Sequence, residues 1–172
     1  MHDVEEPVAG SNALMGTSHS IEHIELHERI RSLVDGQPYA VLCTQGGGQP
    51  YGSLVAFAAT HDLKAMVFAT PVTTRKFRLL TECDRVAMLI DNRSLCQSDI
   101  TQLEAVTATG RAIRIERRPD AEPWVKLLLD RHPYMKAFLD AQTTALFMVE
   151  ILRYLHVVRF QEVNEWIPPR EG

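Results

Sequence analysis

Apolar residues fall in short runs along most of the chain, and polar or glycine-rich turns separate these runs. Each run has the length and the β-branched or aromatic content of a strand. The predicted strands are Tyr39–Thr44, Tyr51–Ala59, Leu63–Ala69, Val86–Ile90, Val106–Glu116, Ala145–Leu152 and Tyr154–Val163. Many short strands with few helices favour an antiparallel barrel over an α/β sheet. The pattern predicts a mainly β fold with flanking helices, a closed or split antiparallel β-barrel, for which we expect six to seven strands of Greek-key type.

Three details of these strands lead to further predictions. Gly46-Gly47-Gly48 lies between the first two runs and predicts the turn of a β-hairpin. In the run Tyr51–Ala59 both alternating faces are largely apolar, which predicts a strand covered on both sides. Gly110 lies in the middle of the run Val106–Glu116, where a barrel strand commonly bends.

An amphipathic helix is predicted before the first strand. Ser20 is expected to cap it, and the helix runs to about Val34 and ends at Gly36. Its predicted apolar stripe consists of Ile21, Ile24, Ile30, Leu33 and Val34. His19, His23 and His27 share one face of this helix because they follow each other at intervals of four residues. No carboxylate or cysteine is tied to them by spacing, so exposed histidines are favoured over a metal site.

The remaining helices follow proline signals. One is predicted after the third strand, to about Cys83, and a helical insertion is predicted at about 119–141. Within the insertion Pro119 is expected at the first helical position, and Pro133 ends one short helix and begins another. Residues 1–17 are small and polar and are predicted to form a mobile arm. Residues 18–172 are predicted to form a single domain.

Composition and charge narrow the class of protein. The chain has 172 residues, of which 45% are hydrophobic and 23% are charged, as in an ordinary globular protein. A net charge of -4 disfavours nucleic acid as a partner, and the longest apolar runs are too short to cross a membrane. The acidic start of the chain does not resemble a secretion signal, and the three cysteines show no CxxC pair. We therefore expect a reduced, cytoplasmic protein.

One stretch breaks a local rule. In VFATPVTTRKFR a strand leads through a turn into a helix for which Thr73 is the predicted N-cap. Val72 and Phe77 would then close as a hydrophobic staple, and Thr74 would be the first helical residue. A helix start favours acids, and each base there costs about 0.3–1 kcal/mol. This helix instead begins with bases.

The basic residues in question are Arg75, Lys76 and Arg78, with no acid before Glu82. An anion on the turn would remove the conflict, because N–H groups, hydroxyls and two cations would converge on it. The stretch is therefore predicted to bind phosphate; the alternative is that these bases are only solvated. No GxxxxGK[ST] or GxGxxG occurs in the chain, so nucleoside triphosphates and Rossmann dinucleotides are poor candidates.

The order of elements and the basic turn resemble the FMN-binding split-barrel superfamily, the pyridoxamine 5′-phosphate oxidase-like proteins, over about Gln37 to Trp166. The residues that carry the resemblance are the Gly-turn hairpin, the strand Gly52-Ser53-Leu54-Val55-Ala56-Phe57 and the block Phe68-Ala69-Thr70 before Thr74-Arg75-Lys76. Asp84-Arg85-Val86, which leads into the next strand, also matches. The spacing from Thr70 to Arg75-Lys76 is the most specific part.

The resemblance implies a bound FMN and a homodimer with the cofactor at the subunit interface. The residues it places beside the flavin ring are Ser53, Leu54, Val55 and Ala56, and Thr70 would lie near the ring and the ribityl chain. The residues it assigns to the phosphate are Thr74, Arg75 and Lys76. Candidates for contacts from the second subunit are Asn92, Gln97, Ser98 and Trp166. The catalytic residues are unknown, and no metal is expected.

Two departures from the oxidase pattern limit the functional prediction. About Ala105 stands where the oxidases have a glutamine, and the tail EWIPPREG has no Arg-x-His motif. We therefore expect no pyridoxamine phosphate oxidation. The first hypothesis is an FMN-dependent oxidoreductase acting on an unidentified small molecule. The alternatives are an FMN- or haem-binding or storage protein without flavin turnover, and a structural dimer whose basic turn binds only adventitious anions.

Overall fold

Seven strands, as expected, make up the sheet in the part of the chain that the structure describes. This computed structural model describes residues 18–96, 99–116, 121–158 and 162–169. The strands are β1 (Tyr39–Gly46), β2 (Gln49–Ala59), β3 (Ala65–Pro71), β4 (Arg85–Asp91), β5 (Glu104–Ile115), β6 (Thr144–Val158) and β7 (Glu162–Trp166). The predicted N-terminal arm, Gln97, Ser98 and Pro119 lie outside the described residues.

The sheet order is β3-β2-β1-β4-β5-β6-β7, and β3 also pairs with β6. Six antiparallel strands therefore close into a barrel, and β7 is an extra strand on β6. The neighbours β1 and β4, and β3 and β6, are not consecutive in sequence, which is a Greek-key arrangement. The predicted fold class is confirmed.

The glycine predictions are confirmed. Gly47 and Gly48 have φ angles of 57° and 78°, a left-handed conformation that glycine adopts without a steric penalty, and they join β1 to β2. The pairing of β5 with β6 shifts register between Thr109 and Gly110, which is the expected bend.

The prediction of two strands at Ala145–Leu152 and Tyr154–Val163 is wrong, because the strands at the end of the chain have other boundaries. β6 is one strand of 15 residues that continues through Arg153, and β7 is a separate strand that ends at Trp166. Arg153 does not interrupt β6 because it occupies an outward position, where a charged side chain reaches solvent and pairs with Glu165.

Four α-helices flank the barrel within the described residues: α1 (Ser18–Gly36), α2 (Arg75–Glu82), α3 (Glu122–Arg131) and α4 (Lys136–Asp140). Short 3₁₀ turns occur at Ile100–Gln102 and Pro133–Met135. Pro133 therefore begins a second short helical segment, as predicted. α3 begins at Glu122 with Pro123 in its first turn, so it starts later than the position predicted from Pro119.

The core has two parts. Inward side chains of all seven strands pack with α1 and α2, whereas α3 and α4 cover the outer face of β2, β3 and β6 around Ala58 and Val67. The prediction that β2 is covered on both sides is wrong at Leu54, which is 64% exposed because the helices stop short of it. Ile24 is likewise 63% exposed and does not belong to the buried stripe of α1.

A buried histidine predicts how stability depends on pH. His156 has no exposed surface, and its Nε2 lies 3.5 Å from Glu104 Oε2. Desolvation lowers the pKa of His156, and Arg29 on α1 lowers it too, while Glu104 and Glu162 oppose the shift. The unfolded chain therefore takes up a proton first as the pH falls below about 6.5.

We expect the free energy of unfolding to be intact above pH about 6.5 and to decline below it, by at most about 1.4 kcal/mol per pH unit from this one group. Denaturant titrations between about pH 7 and pH 5 measure the slope. His156→Gln, which carries no titrating proton in this range, should flatten the slope. Identical slopes in the two proteins would show that His156 does not contribute.

Candidate functional site

The barrel is split beside the middle of β2. β2 pairs with β1 over Gln49–Ala56 but with β3 only over Phe57–Ala59, while Ala69–Pro71 of β3 pair with β6. The segment Ser53–Ala56 therefore has one strand edge without a β3 partner. The Lys76 ammonium donates to the Leu54 carbonyl at 3.0 Å. Because backbone groups alternate between the two edges of a strand, Ala56 presents its N–H and C=O on the same side as Leu54.

α2 begins at the mouth of this split. Its N-cap is Thr74, whose hydroxyl oxygen accepts from the Phe77 N–H at 3.3 Å. The same hydroxyl donates to the Pro71 carbonyl at 2.9 Å, and the hydroxyls of Thr70 and Thr74 are 2.9 Å apart. These contacts join the end of β3 to the start of α2. Thr70 itself is buried.

The predicted N-cap at Thr73 is wrong by one residue. Thr74 has the extended backbone of a cap, and its hydroxyl reaches both the preceding carbonyl and the first turn. Arg75 and Lys76 are therefore the first two helical residues. A hydrophobic staple joins the residue before the N-cap to the fourth helical residue. With Thr74 as the cap, these residues are Thr73 and Arg78, so the staple predicted for Val72 and Phe77 is not formed. Both instead pack against the barrel core.

The two cations at the helix start have no carboxylate partner among the described residues. Arg75 is exposed, and its guanidinium carbon lies 4.9 Å from the centre of the Tyr51 ring. Lys76 is half-buried, and burial lowers its pKa. Arg78, in contrast, lies 3.9 Å from Glu82. Arg75 and Lys76 therefore stay available to an external anion at the positive end of α2.

The hydroxyl oxygen of Ser53 is buried and has no hydrogen-bond partner in the structure as described. Ser53 shares the inward face of β2 with Tyr51, whose ring lies under Arg75. A buried hydroxyl without a partner costs about 1–3 kcal/mol, so this atom fits a site that a polar ligand completes. Val55 is buried in the core and Ala56 packs toward α3, so these two residues offer their backbone.

Two of the four candidates for partner contacts, Asn92 and Trp166, make their contacts elsewhere within their own protomer. The Asn92 amide joins β4 to β5, because its oxygen accepts from the Glu104 N–H at 2.8 Å and its nitrogen donates to the Gln102 carbonyl at 3.2 Å. Trp166 is only 6% exposed and packs within its own protomer, 5.5 Å from the Tyr154 ring and 5.0 Å from His27. Gln97 and Ser98 lie outside the described residues.

A further cluster near β2 was missed by the sequence analysis. His132, at the end of α3, is buried, and its Nε2 lies 2.8 Å from the Phe57 carbonyl. Its Nδ1 lies 3.1 Å from the Tyr134 hydroxyl, and that hydroxyl is 3.4 Å from the Tyr39 hydroxyl. The cluster joins residues up to 95 positions apart, which no local motif reveals. The sequence offered one signal for this cluster, the strand alternation that places Tyr39 on the outward face of β1.

The described residues show neither a cluster of metal-binding side chains nor a membrane-spanning helix. In the ranges that the structure covers, no group of three or more His, Cys, Asp and Glu residues could hold a metal ion. None of the helices described above is long and apolar enough to cross a membrane.

The six strands close into a barrel, but β2 and β3 separate before Phe57, and a helix with a basic start lies at this split. These features define a split-barrel protein. The sequence matches the pyridoxamine 5′-phosphate oxidase family over residues 26–163. The chain belongs to that family. A comparison with curated proteins finds no significant match.

Solved structures show the same fold. The heme binding protein from Mycobacterium smegmatis is 20% identical with a TM-score of 0.73, and the match covers 83% of this chain but 57% of that one. HutZ, described as the heme storage protein from Vibrio cholerae, is 16% identical with a TM-score of 0.63, covering 83% and 94%. A FAD-binding protein from Mesorhizobium loti is 11% identical with a TM-score of 0.61, covering 75% and 91%. At these identities the similarity shows the fold.

Proposed function

We propose that this protein binds FMN at the split, with the phosphate at the start of α2 and the flavin ring beside Ser53–Ala56. The observation that carries the proposal is the pair Arg75 and Lys76, two cations without a carboxylate partner among the described residues, next to an unpaired strand edge. The buried Ser53 hydroxyl without a partner fits the same assignment.

Each residue of the phosphate site has a distinct role in this proposal. Arg75 offers a planar fork of N–H donors and Lys76 a point charge, and both suit a doubly charged phosphate. The free N–H groups of the first turn of α2 add the positive end of the helix. Thr70 and Thr74 hold the turn in place through their hydroxyl contact. The ring would find backbone donors and acceptors on the open edge of β2.

The role we favour is ligand binding or storage, with oxidoreductase activity on a small molecule as the second candidate. When bound, FMN supplies the redox chemistry of its ring. The family includes both oxidoreductases and non-enzymatic heme-binding members. Proteins of this fold described as heme-binding, heme-storing and FAD-binding support the binding role. Haem is the alternative ligand, because its carboxylates could also use the two cations. We place the protein in the cytoplasm, consistent with three free cysteines.

The proposed assembly is a homodimer through the outward face of the sheet. Cross-strand pairs place one row of residues on this face, from β2 through β1, β4 and β5 to β6. The row consists of Leu54, Val41, Leu89, Thr107 and Leu155. Leu54 is 64% exposed and the other four residues are half-buried, and an outward row that is apolar except for Thr107 suits a self-complementary interface. The row begins at Leu54, so a partner subunit there would border the proposed ligand site.

The absorption spectrum of the purified protein, with and without added FMN or hemin, tests the proposal. We expect an oxidised flavin spectrum, or saturable binding of FMN that riboflavin matches only weakly. If the protein does not bind FMN but binds hemin, haem is the ligand and the FMN assignment is overturned. If it binds neither, both ligand assignments are overturned. Anaerobic addition of NADH or NADPH then separates the roles, since bleaching of the flavin supports an oxidoreductase.

A further inference from the structure

Arg75 contacts an aromatic ring where its neighbour on the same helix contacts a carboxylate. The guanidinium carbon of Arg75 lies 4.9 Å from the centre of the Tyr51 ring. Arg78, three residues further along α2, instead lies 3.9 Å from Glu82. A carboxylate neutralises a guanidinium and competes with an incoming anion, whereas the negative face of an aromatic ring attracts the cation and leaves its charge intact. Arg75 is therefore held in place with its full positive charge.

The contact also leaves the hydrogen-bond donors of Arg75 available. A guanidinium carries five N–H donors in a planar fork, and a carboxylate partner would occupy two of them. The face of a ring has no lone pairs to accept these bonds, so the fork remains open to a phosphate. An arginine side chain that is ordered before the ligand arrives also loses less conformational freedom on binding.

Tyr51 is placed by β2, the strand that also contacts Lys76. Tyr51 pairs with Thr44 of β1, whose buried hydroxyl donates to the Tyr51 carbonyl at 3.2 Å. Three residues further along the strand, which is about 10 Å, the Leu54 carbonyl accepts from Lys76 at 3.0 Å. The first two cations of α2 are thus both held by β2, on the segment that leads into the open edge at Ser53–Ala56.

We propose that Tyr51 is a positioning residue of the phosphate site, and that its ring holds the Arg75 guanidinium where it binds the phosphate of FMN. The inference rests on the proposed function. It assigns to Tyr51 a share of the discrimination between FMN and riboflavin, which differ by that phosphate. The ring has no net charge of its own, so it acts on the phosphate only through Arg75. Its effect on FMN binding must therefore vanish when Arg75 is absent.

A double-mutant cycle in the full chain tests this dependence. Tyr51→Leu should weaken FMN binding about fivefold and leave riboflavin binding unchanged. Tyr51→Phe keeps the ring face and should bind FMN within about twofold of the wild type. In a chain that already carries Arg75→Ala, adding Tyr51→Leu should change the FMN dissociation constant by less than about twofold.

Tyr134→Leu is the matched control. It makes the same exchange at a tyrosine that is 68% exposed and whose hydroxyl contacts Tyr39 and His132 rather than a residue of α2. Both dissociation constants should stay at their wild-type values.

Ring-fluorinated phenylalanine at position 51 gives a second comparison, which keeps the shape of the side chain. Fluorine withdraws negative charge from the ring face and so weakens its attraction for a cation. Relative to Tyr51→Phe, FMN affinity should fall stepwise as fluorine atoms are added, while riboflavin affinity stays the same. This series also provides the test if Tyr51→Leu does not fold.

The outcomes separate this inference from the proposed function. A wild-type chain that does not bind FMN overturns both. A wild-type chain that binds FMN, with a folded Tyr51→Leu variant that binds it equally well, overturns only the role of Tyr51. Equal weakening of FMN and riboflavin also overturns that role, because the ring would then not act on the phosphate. A full loss that persists beside Arg75→Ala does the same, because the ring would not act through Arg75.

Discussion

Replacing Arg75 and Lys76 together by alanine is expected to weaken FMN binding by at least about 2 kcal/mol, roughly 30-fold, while leaving riboflavin binding unchanged. Each residue is assigned a charge-assisted hydrogen bond to the phosphate, and such bonds are worth about 1.5–3 kcal/mol each. Riboflavin lacks the phosphate and so does not sense the change. Equilibrium dialysis with both ligands measures the two affinities.

Arg78→Ala is the matched control. Arg78 lies on the same helix and has the same charge, but its side chain is 68% exposed and pairs with Glu82. Its removal should change FMN affinity little. An unchanged FMN affinity in the Arg75 and Lys76 double variant, with the variant shown to be folded by its thermal unfolding, would refute the phosphate site.

The second large effect is expected for Gly110→Ala, which should lower the free energy of unfolding by about 3 kcal/mol. A Cβ atom at this position would lie 2.2 Å from the Glu150 carbonyl oxygen and 2.9 Å from Val149 Cγ1. The oxygen belongs to the backbone of β6, so relief requires β5 and β6 to move apart at the register shift between Thr109 and Gly110. Denaturant unfolding measures the loss.

Gly52→Ala provides the control in the same sheet. A Cβ atom there would meet only Val41 Cγ1, at 3.6 Å, which is an ordinary contact. This variant should be neutral or more stable by up to about 1 kcal/mol, because alanine restricts the unfolded chain. Equal losses in the two variants would mean that the close approach at Gly110 is not the cause.

Local patterns predicted the elements and missed details that depend on tertiary contacts. The strands β1 to β5 and the turn at Gly47 follow from alternation and glycine chemistry, which act between near neighbours in sequence. The cap of α2 moved from Thr73 to Thr74 because contacts with Thr70 and Pro71 decide which hydroxyl faces the helix. Arg153 looked like a strand end, yet its outward position lets β6 continue.

The candidate site likewise has features that were visible in the sequence and features that depend on tertiary packing. The basic stretch around Arg75 was visible as a conflict between charge and helix polarity, and the structure leaves that charge without a carboxylate partner among the described residues. Trp166 looked like an available ring, but the pairing of β7 with β6 buries it beside Tyr154. Whether a side chain is free depends on what packs against it, and sequence order does not contain that information.

The sequence by itself therefore determined the class of fold, the hairpin turn and the basic charge at the α2 start, because periodicity, backbone conformation and charge are local properties. Only the tertiary structure decided where β2 leaves β3, that Leu54 is uncovered, and that His132 reaches the Phe57 carbonyl to hold Tyr134. Those features arise from contacts between distant segments, whose geometry is set when the barrel closes and α3 packs on its outer face.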